Sequence, residues 1–276
     1  MRILITGESG YVGKNLAQIY LSSGNDLFYY KRNNTMEDLL RWKPEVIFHC
    51  AAEIYKEEEM FSSNIELTYK LLRLAEEIKT KAFIYIGSSS EYGRKDHPMS
   101  ETDYLYPTTM YEATKGCGTL LTLASKVSSI IARPFSIYGK NEPLRRFIPL
   151  IYEAYKQDKV LRVGPGVHDF IYIDDFIHGL TICAKSILSE KTQKDIVNFG
   201  TGVQYTNKEV VDIFEEVVGR KLKIEIVSDK RQYDSSRWIC NPDYAREHYG
   251  FKSTVTLREG LERYIRYREE TSPKNS

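Results

Sequence analysis

Short apolar runs alternate with stretches in which apolar residues recur every three to four positions through the first half of the chain. Residues 2–5, 27–30, 46–50, 82–86 and 129–133 are nearly continuous apolar segments of strand length, as expected of strands buried on both faces. Between them, residues 13–22, 36–42, 64–78 and 109–125 carry the helical period. Strict strand-helix alternation predicts an α/β fold: a doubly wound parallel sheet with helices on both faces. Past Pro134 the alternation breaks. A helix near 147–157, a turn at 163–166, and a strand running into a helix cap over 169–175 follow. A strand at 197–200, a helix near 207–218, a strand near 223–227 and a helix near 258–268 read as a smaller α/β lobe.

Composition narrows the classes. At 276 residues, with 42% hydrophobic and 28% charged residues, the chain has ample material for a core. Lys+Arg 39 against Asp+Glu 38 leaves a net charge of +1, which argues against a nucleic-acid coat or a polybasic membrane surface. Cys50, Cys117, Cys183 and Cys240 are far apart and form no Cys-x-x-Cys pair, so neither a zinc site nor a disulfide framework is expected, and a reducing compartment fits. His49, His97, His168, His178 and His248 share no ligand spacing, and no metal is expected. The N-terminus enters a strand at once, and no apolar run approaches the ~20 residues that span a bilayer. The expectation is a soluble, cytoplasmic protein.

The first strand runs directly into Thr6-Gly7-Glu8-Ser9-Gly10-Tyr11-Val12-Gly13 and a helix. In that context Gly7 permits a tight turn, Gly10 lets the main chain approach a pyrophosphate, and Gly13 lets the helix pack closely. Gly7, Ser9, Gly10, Tyr11, Val12 and Gly13 are therefore expected to hold a dinucleotide at the helix N-terminus. The expected organisation is a dinucleotide-binding domain over 1–142, with 169–203 returning to it, and a substrate lobe formed by 143–168 and 204–276. An NAD site usually ends its second strand with an acid for the ribose 2′-hydroxyl. Here the strand ends in Tyr30-Lys31-Arg32-Asn33. Lys31 and Arg32 point to a 2′-phosphate and so to NADP(H), with NAD as the alternative.

Tyr111 and Lys115 stand at i and i+4 at the start of the 109–125 helix and share one face. A cation beside a phenol favours phenolate and suits it to exchange a proton with a substrate oxygen. Upstream, the 82–86 strand ends in Gly87-Ser88-Ser89-Ser90-Glu91-Tyr92-Gly93, at the sheet edge where doubly wound folds bind ligands. The Ser88 hydroxyl could bond the same oxygen.

These motifs in order, with Cys50-Ala51-Ala52, Asn64, Arg133-Pro134-Phe135-Ser136-Ile137-Tyr138-Gly139 and Asp169-Phe170-Ile171-Tyr172-Ile173-Asp174-Asp175, resemble the extended short-chain dehydrogenase/reductases. That family contains nucleotide-sugar epimerases, dehydratases and ketoreductases. The resemblance covers nearly the whole chain. It implies Tyr111 as acid/base, Lys115 on the nicotinamide ribose, Ser88 on the sugar oxygen, and Ala51, Ala52, Pro134 and Ser136 lining the cofactor. It further implies a nucleotide-diphosphate sugar as substrate, with Ser89, Ser90, Arg146, His168 and Arg231 as contacts, and a homodimer through the 64–78 and 109–125 helices.

Within the family, 4,6-dehydratases place an acid pair just after the catalytic hydroxyl, where this chain has Ser89 and Ser90, with Glu91 one step late. The short link from the second strand to Val46 and the Gly87-Ser88-Ser89-Ser90 run resemble GDP-fucose synthase and related 4-ketoreductases. Ser90 and Arg146 stand where the dual epimerase-reductases of that subgroup carry cysteine and histidine. The expectation is therefore an NADP(H)-dependent reductase of a nucleotide-activated keto-sugar, with an NAD-dependent nucleotide-sugar epimerase as the alternative. A redox-inactive dinucleotide sensor is the more distant one.

Overall fold

The computed structural model describes residues 1–31, 33–228 and 236–271. The chain begins β1 (Arg2–Thr6), α1 (Tyr11–Ser22), β2 (Asp26–Tyr30), α2 (Met36–Trp42), β3 (Val46–His49). It continues through α3 (Glu57–Met60), a π-helical turn (Phe61–Glu66), α4 (Leu67–Glu77), β4 (Ala82–Ile86), a 3-10 turn (Ser89–Tyr92), α5 (Met110–Ala124) and β5 (Ser129–Pro134). The second half contains β6 (Ser136–Tyr138), α6 (Phe147–Gln157), β7 (Leu161–Val163), β8 (Val167–Tyr172), α7 (Ile173–Leu188) and β9 (Lys194–Phe199). It closes with β10 (Gln204–Thr206), α8 (Asn207–Val218), β11 (Ile224–Ile226), α9 (Asp243–Tyr249) and α10 (Leu257–Thr271).

Six parallel strands form the main sheet in the order β2-β1-β3-β4-β5-β9. Strands β3, β4 and β5 are buried throughout, which explains their continuous apolar sequence. One face packs against α1 and α7 in a core containing Leu16, Phe48, Ile84, Phe176 and Leu180. The other packs against α2, α4 and α5 around Leu39, Leu71, Phe83 and Ile131. Segments after β5 build two small sheets, β10-β8-β6 and β11-β7. Between β8 and β10 the chain re-enters the main sheet as β9 beside β5. No helix among the described residues is long and apolar enough to cross a membrane.

Candidate active site

β1 has β2 on one side and β3 on the other, so the chain reverses direction across β1 and a crevice opens beyond the C-terminal ends of β1 and β3. Residues 7–13 and Ala51 meet there. Gly7 takes φ +68°, and a Cβ on it would stand 2.8 Å from the Ala51 main chain. A Cβ on Gly13 would stand 2.2 Å from the Gly7 carbonyl oxygen, so α1 can approach the turn only without a side chain. The Gly10 N–H donates to the Gly7 carbonyl at 2.9 Å. α1 has no side-chain cap and no acid in its first turn, and its leading N–H groups lack intrahelical partners. Such a cradle, which a Cβ would fill, fits a dinucleotide pyrophosphate. Ser9 is exposed, whereas Tyr11 and Val12 pack on the core and leave their main-chain N–H groups at the helix end. Lys31 follows β2 exposed, its N–H donating to Asn34 Oδ1 at 2.7 Å. Arg32 lies outside the described residues.

A buried polar chain ties this crevice to α5. The Thr6 hydroxyl accepts from the Ala51 N–H at 3.1 Å and meets His49 Nδ1 at 2.8 Å. His49 Nε2 meets Thr68 Oγ1 at 2.8 Å, and that hydroxyl donates to the Asn64 carbonyl. Its proton being committed there, Nε2 carries the imidazole hydrogen and Nδ1 accepts from Thr6. Burial pushes the His49 pKa down to about 3 and keeps the ring neutral. Asn64 accepts from Glu53 N–H at 2.7 Å and donates to Thr114 at 3.0 Å.

Ser88 leaves β4 and caps the 3-10 turn, accepting from the Ser90 N–H at 3.1 Å and donating to Ser90 Oγ at 3.0 Å. Thr109 caps α5 in a reciprocal box with Glu112, which starts the helix two residues before Tyr111. The Ser88 hydroxyl stands close enough to the Tyr111 phenol to lower its pKa. The fold thus brings together two hydroxyls separated by 23 positions in the sequence.

The expected lowering of the phenol by Lys115 is not what the structure has. Burial raises the Tyr111 pKa; the Ser88 hydroxyl and the Arg146 charge lower it, and the Glu91 charge raises it. The Lys115 ammonium instead donates to the Ile86 carbonyl at 2.5 Å and lies 4.3 Å from the Tyr85 ring centroid. Burial pushes Lys115 down to about 8, against the Glu91 charge, which raises it. Cys50, beyond β3, is pushed up to about 12 by burial and is a neutral thiol.

The remaining candidates are distributed around this pair. Arg146 donates from Nε to Glu142 at 3.0 Å and from Nη2 to the Ile137 carbonyl at 2.8 Å, and its guanidinium lies 5.7 Å from the Tyr11 ring. Glu142 is pushed up to about 7 by burial, with Arg146 lowering it. Pro134 ends β5, and Ser136 Oγ meets His168 Nδ1 at 3.3 Å. Ser89 accepts from the Trp238 indole N–H at 3.2 Å; Trp238 carries no local signal and is invisible to motif reading. Arg231 lies outside the described residues. Glu91 turns inward, fully buried beneath Ser88, and its place three residues after Ser88 is the capping-box spacing legible in the sequence. A cleft of about 1110 Å³ opens between His97, Tyr104, Val163, Pro165, Thr206 and Ile226. Among the described residues no three His, Cys, Asp or Glu side chains cluster to hold a metal.

The family model described as the NAD dependent epimerase/dehydratase family matches residues 3–200. A protein of Bacillus subtilis (strain 168) named uncharacterized UDP-glucose epimerase YtcB is 28% identical over 313 residues, covering 97% of this chain and 98% of its own. Among solved structures, MoeE5 in complex with UDP-glucose and NAD superposes with a TM-score of 0.89 at 23% identity, covering 98% of this chain and 99% of that one. UDP-glucuronic acid 4-epimerase from Bacillus cereus, in complex with UDP-glucuronic acid and NAD, superposes with a TM-score of 0.87 at 22% identity, over 98% and 99%. At these identities the superpositions show the fold.

Proposed function

The chain belongs to the NAD dependent epimerase/dehydratase family, and on that premise we propose that it is an NAD-dependent nucleotide-sugar epimerase acting at a hydroxyl-bearing carbon of a UDP-sugar. The observation that carries this reading is the juxtaposition of the Ser88 and Tyr111 hydroxyls beyond β4, in a sheet whose β1 turn is shaped for a dinucleotide. The epimerase alternative takes precedence over the expected net ketoreductase because relatives that span this whole chain carry epimerase names and the superposed structures hold NAD.

Gly7, Gly10, Gly13 and the N-terminus of α1 hold the pyrophosphate, and Ala51, Ala52, Pro134 and Ser136 line the rest of the cofactor. Bound NAD supplies the acceptor and donor for the hydride of the sugar carbon. In its phenolate form, which the positive nicotinamide of bound NAD and the Lys115 ammonium would favour, Tyr111 takes the proton of the sugar hydroxyl as the ketone forms and returns it when the alcohol is restored on the other face. Ser88 donates to the same oxygen and fixes its position. Lys115 keeps a positive charge beside these groups below about pH 8. The cleft beside Tyr104 and Val163 has room for the nucleotide, and Arg146 and His168 are the contacts assigned to its sugar diphosphate. A dehydratase is disfavoured because Glu91 is buried under Ser88 and cannot protonate a leaving hydroxyl. A homodimer in a reducing, cytoplasmic setting accompanies this reading: the four thiols are unpaired, and Tyr69 on α4 and Met110 and Leu120 on α5 are exposed apolar residues.

The second reading, an NADPH-dependent ketoreductase, is favoured by Lys31 and Arg32 at the end of β2. Incubation with UDP-glucose or UDP-glucuronic acid separates the two. Isomer formation with no net change in absorbance at the reduced-nicotinamide band supports the epimerase. Stoichiometric loss of NADPH with a nucleotide-activated 4-keto-sugar supports the reductase, and tight dinucleotide binding without turnover of any sugar nucleotide returns the sensor. Tyr111→Phe is expected to lower kcat by roughly 10²–10⁴-fold with dinucleotide affinity preserved.

A further inference from the structure

We propose that Glu91 is a positioning residue for the reaction, acting on the reacting groups through the Ser88 main chain and through its charge without touching substrate. The proposal rests on the roles given above to Ser88, Tyr111 and Lys115.

Glu91 is 0% exposed. One carboxylate oxygen accepts the Ser88 N–H at 2.8 Å. The other accepts the Thr119 hydroxyl at 2.7 Å and Arg133 Nε at 3.0 Å. A Cβ on Gly87 would stand 2.7 Å from the first oxygen, so the carboxylate lies directly against the main chain leading into Ser88. One side chain thereby joins the end of β4, the middle of α5 and β5. Lys115 and Thr119 are i and i+4 on the same face of α5, which puts the anion one helical turn from the ammonium.

The charged and titratable groups facing Glu91 are Arg133 from β5, Lys115 and Tyr111 from α5, and Tyr85 from β4. Those facing Lys115 are Glu91, Tyr85, and Cys50 and His49 at the end of β3. Cys50 is a neutral thiol and His49 a neutral ring, so Glu91 is the anion that favours the ammonium. Arg133 is 1% exposed, its guanidinium 4.6 Å from the Tyr92 ring centroid, and its Nη1 has no hydrogen-bond partner among the described residues. A buried ion pair of this kind is commonly matched in stability by well-packed hydrocarbon. Its charge is accounted for by what it does to Ser88 and Lys115.

Glu91→Gln keeps the size of the side chain and an acceptor for the Ser88 N–H but removes the charge. The Lys115 midpoint is read in the unliganded protein by NMR of ε-¹³C-lysine, the signal being assigned by its loss in Lys115→Met. The wild-type midpoint is expected near 8, falling by about one unit or more in Glu91→Gln. A fall of one unit leaves about half of Lys115 protonated at pH 7, so kcat with the sugar nucleotide is expected to fall about two-fold there and its alkaline limb to move down with the midpoint, while KM changes less than about three-fold. Glu91→Asp, which keeps the charge, is expected to restore most of both. Glu91→Gln strands a buried guanidinium, so Glu91→Gln/Arg133→Met is measured beside it, with the same shift expected of whichever variant folds. An unchanged Lys115 midpoint in a folded variant, or a kcat that falls only with the folded fraction, overturns the proposal. A wild type that turns over no nucleotide sugar overturns the epimerase reading instead, and the midpoint then still decides whether Glu91 governs Lys115.

Discussion

Burial does more than spacing to set the acid-base character of Tyr111 and Lys115. The i, i+4 spacing put both on one face of α5 and was legible in the sequence; the direction of the ammonium was not, because it depends on the Ile86 carbonyl and the Tyr85 ring, which lie 29 and 30 positions away. With Lys115 near 8, the ammonium is the main form at pH 7 and is lost as pH rises, so kcat is expected to show an alkaline limb with a midpoint close to 8. Profiles of wild type and Lys115→Arg test this: the arginine variant, which stays charged, should lack the limb. Linkage gives the matching stability effect. Between about 8 and the ~10.4 of an unfolded lysine, the unfolded chain binds the extra proton, so this group's destabilising contribution at pH 7 fades as pH rises. Lys115→Met is therefore expected to raise Tm at pH 7, with the gain shrinking toward pH 10. Gly13 was legible from the fingerprint alone, and its reason is the 2.2 Å approach of the Gly7 carbonyl oxygen. Gly13→Ala should weaken NAD binding at least ten-fold in a calorimetric titration.

Elements with strong local signals appear where the apolar pattern places them. Five helical starts carry Ser or Thr followed three positions later by an acid; four close as reciprocal boxes, Thr35 with Asp38, Ser88 with Glu91, Thr109 with Glu112 and Thr206 with Glu209, and before α10 Thr256 accepts the Glu259 N–H at 3.3 Å. Thr109→Ala is expected to cost about 1 kcal/mol in urea unfolding. The expected 64–78 helix instead extends back to Glu57 through the π-helical turn Phe61–Glu66. There the Asn64 side chain bonds both to the Glu53 main chain and to Thr114 of α5, contacts that no local pattern reveals. The three-residue strands β7 and β10 gain their order from partners distant in sequence, β11 and β8, and were not legible. Nor was the short α9.

At the scale of the whole molecule, the doubly wound parallel sheet follows from strand-helix alternation alone, and its family from motifs spread over much of the chain. What the sequence left open lies where distant segments meet: Trp238 on Ser89 and the Met99–Cys240 bridge. The return of the chain to the main sheet has a further consequence. A cut at the turn between β7 and β8 divides every sheet, since β5 pairs with β9, β6 with β8 and β7 with β11 across it. Neither fragment owns a complete set of strands, so a protein nicked there should migrate as one particle on a native gel and come apart only in denaturant. Two halves expressed as separate polypeptides should likewise recognise each other and regain turnover on mixing. Elution of the nicked halves as independent folded species would show that the lobes are separable after all.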